Sequence, residues 1–275
     1  MSINLENEDD FDAAENWFLY YFYTNISRYI NVKIPAFHNL LIDDNNNTIG
    51  VVLEDLLDKN DIDGYLSIRP KISDYPLTPY VDYRTFIRQL PEKSPQQVNE
   101  FISEHESFPF SRRVRAPYLN HLYKQKDWKT ITEFQKVIPS GERYQCIFYV
   151  AQLEQGKKVA AFKGAEHMWL RGRSIADECD PLFAAWDKAG ERTDELILQR
   201  MLLAFDARNG SLMSYLLKLP KSSQARQQAK EMKALFDNPS SVAEFAKKKT
   251  ANDFNRAQSE YALEKLARMN TSQAQ

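Results

Sequence analysis

The sequence predicts an all-α fold in which consecutive helical hairpins stack into a superhelix. Glycine is scarce, at 8 of 275 residues, and this favours long helices over turn-rich β architecture. From about residue 63 onward, apolar residues recur at helical spacing between Gly and Pro breaks. No strand-like stretch separates these helices, so each helical pair is expected to bury its apolar stripe against its neighbours, as in an α-solenoid.

The best-defined helix is predicted over residues 192–208. Its apolar residues fall on one face, Asp194 and Glu195 lie in the first turn, and Gly210 follows its end. Acidic residues are favourable at a helix N-terminus, and glycine commonly follows a C-terminus. The same signals predict further helices at residues 80–89, 95–105, 111–125, 128–135, 144–154, 159–170, 182–188, 212–217, 223–236, 242–248 and 253–269.

Aromatic side chains in these helices recur in phase with Leu and Phe, so we expect them in the core rather than at a ligand. The residues concerned are Tyr83, Tyr118, Trp128, Trp169 and Trp186.

Residues 1–62 have a different composition from the rest. Residues 10–30 are crowded with aromatic side chains, and residues 29–34 and 49–53 resemble short β-strands around a polar turn. Either an unrelated leader precedes a helical domain, or this is a divergent first layer of helices. We favour the leader, which gives an atypical segment at 1–62 and a helical domain at 63–275.

Charge and hydropathy exclude several function classes. The net charge of −2 gives no bulk attraction to nucleic acid or anionic lipid. No stretch reaches the ~20 apolar residues of a membrane span. The first 15 residues carry six acidic side chains and no Lys or Arg, unlike a secretory signal. Taken literally, the sequence predicts a cytoplasmic location.

Motifs for metal or cofactor chemistry are also missing from the sequence. The four histidines lack metal-ligand spacing, and the two cysteines do not form a zinc motif. There is no glycine-rich phosphate loop and no nucleophile elbow. We therefore predict no metal and no cofactor.

Several short motifs, in one order, resemble the N-terminal superhelical, U-shaped domain of soluble lytic murein transglycosylases. The resemblance covers about residues 63–270. It rests on Tyr-Pro-Leu-x-Pro-Tyr at 75–80, Lys-Asp-Trp at 126–128, Gln-Cys at 145–146, Trp-Leu-Arg-Gly at 169–172, Cys-Asp-x-Leu-Phe-x-x-Trp at 179–186 and Asn-Asp-Phe at 252–254. It implies a right-handed superhelix and a periplasmic location, where these enzymes cleave peptidoglycan.

In that family a C-terminal lysozyme-like domain carries one catalytic glutamate, followed by Ser, and releases 1,6-anhydromuramyl products. Its Gly-Leu-Met-Gln and Ala-Tyr-Asn-Ala-Gly motifs do not occur in this sequence. The one Glu-Ser pair, Glu106-Ser107, is predicted to lie in a loop between helices. We therefore predict no catalytic residue in this chain.

The resemblance implies a scaffold that binds peptidoglycan and acts with the catalytic domain of the same enzyme. Basic side chains are the candidate contacts to stem-peptide carboxylates: Arg112, Arg113, Arg115, Lys124 and Lys126. The alternatives are a helical-repeat adaptor for a protein partner, and an enzyme active as it stands.

The resemblance also implies a disulfide between Cys146 and Cys179, in an oxidising compartment. Three alternatives remain. The two cysteines are paired but unbridged buried thiols, they are isolated buried thiols, or Cys146 is a nucleophile with a basic partner such as His167.

Overall fold

A computed structural model describes residues 56, 59, 61–73 and 78–274, with side chains up to residue 272. Every regular element in these residues is helical. The α-helices are α1 Ile62–Ile68, α2 Thr78–Arg88, α3 Pro95–Glu104, α4 Arg115–Lys124, α5 Trp128–Phe134, α6 Glu142–Glu154, α7 Lys158–Trp169, α8 Asp180–Lys188, α9 Asp194–Asp206, α10 Gly210–Leu216, α11 Ser223–Asp237, α12 Val242–Lys248, α13 Asp253–Met269 and α14 Thr271–Ala274. Short 3-10 helices occupy Arg69–Ile72, Leu90–Glu92, Ser111–Val114, Asp177–Cys179 and Pro239–Ser241.

The predicted all-α class is confirmed. The predicted helices are present, and apart from the one at 111–125 their ends agree within two residues. Side-chain caps explain several of the starts. In α9, for example, the Thr193 hydroxyl accepts a hydrogen bond from the amide of Leu196 at 3.3 Å. Such a cap satisfies one of the backbone donors that a helix start leaves unpaired.

The structure differs from the predicted helices in two places. The helix predicted over 111–125 is divided into the 3-10 helix Ser111–Val114 and α4. Pro117 explains the division, because its ring is incompatible with a regular α-helical turn before it. Helix α1 was not predicted. It begins after Asp61, whose carboxylate accepts from the amide of Gly64 at 2.8 Å.

The described residues form two compact units, one ending at Tyr118 and the other beginning at Leu119. The atypical segment at 1–62 and its strand-like stretches lie almost wholly outside the described residues. The same is true of residues 75–77 of the first family motif. The boundary near residue 62 therefore stays a prediction.

In the first unit, the Asp82 carboxylate joins α2 to the segment before it. Arg69 donates to both carboxylate oxygens, at 3.1 and 3.0 Å, and the Tyr65 hydroxyl donates to one of them. Burial, followed by the hydrogen bond to Asp82, raises the pKa of Tyr65. Farther along, the rings of Phe86 and Phe101 stack at 4.0 Å between centroids, which holds α2 against α3.

In the second unit, α6 packs against α5, α7 and α8, while α9 packs against α10, α11 and α13. Trp169 and Trp186 lie in this core with ring centroids 6.1 Å apart. They and Tyr118 of the first unit are buried, as predicted, whereas Tyr83 and Trp128 are half-buried.

The disulfide between Cys146 and Cys179 is present in the structure, with 4.7 Å between the Cα atoms. Both residues are fully buried. The bond joins α6 to the 3-10 helix that precedes α8. It also leaves no free thiol on Cys146, so the alternative of a cysteine nucleophile with His167 is wrong.

Four helices, α4, α6, α8 and α9, are each followed by a residue whose backbone is left-handed. Lys126 (φ 56°) follows α4 and Arg208 (φ 58°) follows α9, while Gly156 (φ 77°) and Gly190 (φ 80°) follow α6 and α8. In each case the next amide donates to the carbonyl oxygen five residues earlier: Asp127 to Leu122, Lys157 to Gln152, Glu191 to Trp186 and Asn209 to Ala204. This backbone is favourable for glycine and strained for Lys or Arg.

We expect loss of the disulfide to lower the stability of the fold substantially. Closing a loop of 33 residues contributes about 3.5 to 4 kcal/mol in the chain-entropy model. The variant Cys146→Ala with Cys179→Ala should lose about this free energy of unfolding, measured by urea denaturation. Wild-type protein in reductant should approach the variant, and the variant should not respond to reductant. A difference below about 1 kcal/mol would contradict the expectation.

We expect Lys126→Gly and Arg208→Gly each to raise the free energy of unfolding by about 0.5 to 1 kcal/mol, because glycine relieves the left-handed strain. Gly156→Ala and Gly190→Ala are the matched controls. A Cβ at either position meets nothing within 4 Å, so the loss expected there, about 1 kcal/mol, is purely conformational. Thermal and urea denaturation measure both pairs. Destabilisation by Lys126→Gly and Arg208→Gly would contradict this explanation.

Candidate functional site

The five basic residues predicted to contact peptidoglycan lie between residues 112 and 126. Arg112 and Arg113 are exposed on the 3-10 helix Ser111–Val114. Arg115 is half-buried at the start of α4, where burial lowers the pKa of its guanidinium. Lys124 and Lys126 are exposed at the end of the same helix. Arg112, Arg113 and Arg115 belong to the first unit, whereas Lys124 and Lys126 belong to the second. The five residues are therefore not treated as one site.

A further basic site, which was not predicted from the sequence, lies in the second unit. A cavity of about 520 Å³ opens between the segment after α7 and the end of α9. Its lining residues are His167, Leu170, Arg171, Gly172, Arg173 and Ala207. The Trp-Leu-Arg-Gly landmark at 169–172 forms part of this lining. The sequence signal for this site is the pair of arginines on either side of Gly172.

Gly172 allows the segment to lie directly against α9. A Cβ at this position would fall 2.3 Å from the carbonyl oxygen of Leu203 and 2.8 Å from the Cβ of Ala207. Any larger residue would therefore push the segment off the helix. The Asn209 side chain donates to the Gly172 carbonyl at 3.4 Å from the other side. Gly172 thus sets the positions of Arg171 and Arg173, its two neighbours.

Glu142, in the first turn of α6, compensates part of the positive charge. One carboxylate oxygen accepts from the amide of Ala176 at 3.1 Å. The other lies 2.9 Å from Nη2 of Arg173 and 3.5 Å from Nη1 of Arg171. Glu142 therefore forms an ion pair with each of the two guanidinium groups. Each guanidinium has five N–H donors, more than this single carboxylate oxygen can accept from.

Arg200 of α9 adds a second, buried positive charge behind the cavity wall. It is 4% exposed, its guanidinium carbon lies 4.1 Å from the centroid of Trp169, and it donates to the carbonyl oxygen of Arg173 at 3.2 Å. Its Nε is buried without a hydrogen-bond partner. Burial lowers the pKa of Arg200 to about 10, which still leaves the group charged at neutral pH.

Glu106 does not have the surroundings of a catalytic acid. It is exposed in the turn after α3, where its amide donates to the Ser103 carbonyl at 3.3 Å. Glycosidic cleavage needs a carboxyl group enclosed beside the scissile oxygen. In the described part of the chain there is also no cluster of three or more candidate metal ligands. The described helices include none that is long and apolar enough to cross a membrane.

A model for the cucumovirus coat protein family matches residues 155–255, which is well under half of the chain. In the structure this region consists of helices and connecting turns without a strand. Viral capsid domains are typically β-sheet jelly rolls. The match therefore carries no conclusion about fold or function.

Two full-length relatives match a much larger part of the chain. The soluble lytic murein transglycosylases of Salmonella typhimurium and of Escherichia coli K12 are each 30% identical over 218 residues. The alignment covers 79% of this chain and 34% of each relative, so the chain spans about one third of their length.

Solved structures give the same result for the fold. A 70-kDa soluble lytic transglycosylase in complex with bulgecin A matches with a TM-score of 0.70 at 28% identity, over 81% of this chain and 36% of that one. The Escherichia coli 70-kDa enzyme matches with 0.69 at 28% identity, and an inactive mutant of the Pseudomonas aeruginosa enzyme with 0.68 at 27%, over the same shares. The chain is therefore homologous to the N-terminal superhelical domain of the soluble lytic murein transglycosylases.

Proposed function

We propose that this chain is a non-catalytic scaffold and binding portion of a soluble lytic murein transglycosylase. The complete enzyme would cleave glycan strands of peptidoglycan to 1,6-anhydromuramyl products, and a lysozyme-like domain would supply the catalytic glutamate. The observation that carries the proposal is the 30% identity over 79% of the chain, together with the shared superhelical fold.

The chemistry of the described residues supports a periplasmic location and a binding role. A buried disulfide fits an oxidising compartment. Exposed Arg and Lys side chains at 112–126 offer donors to the carboxylates of stem peptides. The relative bound to bulgecin A supports an interaction with a murein-related ligand in this family. Peptidoglycan is accordingly the proposed partner.

We expect the purified chain to co-sediment with isolated sacculi in a salt-sensitive way. The bound fraction should fall several-fold between about 50 and 300 mM NaCl, because ion pairs at an exposed surface are screened. Arg112→Gln combined with Lys124→Gln should weaken binding at low salt. Arg268→Gln removes an exposed charge from the C-terminal end of α13 and serves as the control. Binding that is indifferent to salt and to the Arg112→Gln, Lys124→Gln double substitution would contradict the proposed contacts.

We also expect this chain alone to release no anhydromuropeptides from sacculi, because it lacks an enclosed catalytic carboxyl group among its described residues. Chromatography of the soluble fraction after prolonged incubation measures this. Release that is abolished by Glu106→Gln would show that the chain is an enzyme by itself.

A further inference from the structure

The cavity at Arg171 and Arg173 has an excess of positive charge that the structure does not neutralise. Three guanidinium groups lie in or directly behind its wall, namely Arg171, Arg173 and Arg200, and Glu142 is the one carboxylate within ion-pair distance of any of them among the described residues. The neighbouring acidic residues Glu166 and Asp206 are both exposed. Neither forms an ion pair with these arginines, so neither offsets their charge as Glu142 does.

Burial of the Arg200 guanidinium costs desolvation free energy, and a purely structural role would leave this cost poorly compensated. An arginine that is 4% exposed has lost most of its hydration, and here it has gained one carbonyl acceptor and the face of Trp169. Charged groups in protein interiors are normally paired. A negatively charged ligand in the adjacent cavity would balance the buried positive charge of Arg200.

The guanidinium groups at the cavity can donate hydrogen bonds in the paired, planar geometry that a carboxylate accepts. The side chain of Arg173 is 61% exposed and that of Arg171 is 27% exposed, so both guanidinium groups are accessible. Each guanidinium has five N–H donors, and only part of this capacity is used by Glu142 and, for Arg171, by the Met168 sulfur at 3.9 Å. A guanidinium binds a carboxylate through two parallel hydrogen bonds, and such charge-assisted bonds are the strong ones.

We propose that the cavity formed by His167, residues 170–173 and Ala207 binds a carboxylate of a peptidoglycan stem peptide. The inference rests on the proposed function for the identity of the ligand. Within peptidoglycan, the stem peptides carry the free carboxylates, whereas the sugar rings are neutral. The apolar part of the lining, Leu170 and Ala207, then packs against the peptide side chains.

The experiment is a titration of the full chain with the stem tetrapeptide L-Ala–γ-D-Glu–meso-diaminopimelate–D-Ala, followed by NMR. We expect saturable shifts of the backbone amides of Gly172, Arg173 and Ala207. Arg173→Gln should weaken binding about ten-fold or more, since the charge and the paired hydrogen bonds of the guanidinium are lost. Arg173→Lys should weaken it nearly as much, because lysine keeps the charge but not the paired donors. Arg268→Gln should have no effect, and the tetrapeptide with its carboxylates amidated should not bind.

The proposal is overturned if the tetrapeptide does not bind, if it shifts amides elsewhere only, or if Arg173→Gln binds it as wild type does. Arg171→Lys is a second variant that keeps the charge next to Glu142, and it should also weaken binding. Co-sedimentation of wild type with sacculi, run in parallel, separates the two hypotheses. Sacculus binding without tetrapeptide binding defeats this inference alone. Tetrapeptide binding at the cavity without sacculus binding defeats the proposed function alone.

Discussion

The first turns of α6 contact the segment from Arg171 to Cys179 at three places. These contacts fix the segment that forms the cavity. Glu142 binds the amide of Ala176 and the guanidinium groups of Arg171 and Arg173. One residue later, Arg143 donates to Glu178 at 2.8 Å. One helical turn farther, Cys146 is covalently bonded to Cys179. Residues at positions i, i+1 and i+4 of a helix lie near one side, so a short stretch of α6 makes all three contacts.

The segment from Arg171 to Cys179 has little regular structure of its own, so its position depends on these contacts with α6. Between the end of α7 and Asp177 there is no regular helix, and Ser174 and Arg173 are exposed. The close approach of Gly172 to Leu203 fixes the segment on its other side. The segment is thus held between α6 and α9, and its basic side chains are presented in a defined place although the backbone is irregular. Preorganisation of this kind lowers the entropy that a bound ligand would otherwise have to offset.

Much of the fold could be predicted from the sequence because helical signals are local. Caps such as Thr193, breaks such as Gly156 and apolar spacing all lie within a few residues of the element they define. The division at Pro117 was missed because a proline is tolerated in the first turn of a helix and does not by itself fix where the helix begins.

The site was much less predictable, because it depends on contacts between distant parts of the chain. Arg200 lies at helical spacing from Ile197 and Ala204, on the apolar face of α9, but local spacing does not identify what it contacts there. Its burial arises from packing against Trp169, 31 positions earlier in the sequence. The pairing of Glu142 with Arg171 and Arg173 is equally long-range. The basic residues at 112–126 were selected because the family resemblance implies contact with peptidoglycan, and in the structure four of them are exposed and Arg115 is half-buried.

Amide hydrogen exchange tests most directly whether α6 fixes the segment that forms the cavity. It would compare wild-type protein with the double variant Cys146→Ala, Cys179→Ala under conditions where both are folded. The account predicts that exchange accelerates most at residues 171–179, above all at the amide of Ala176 that donates to Glu142, while the core of α9 keeps its protection. Equal protection of Ala176 in the two proteins, or a loss of protection spread evenly over the second unit, would contradict it.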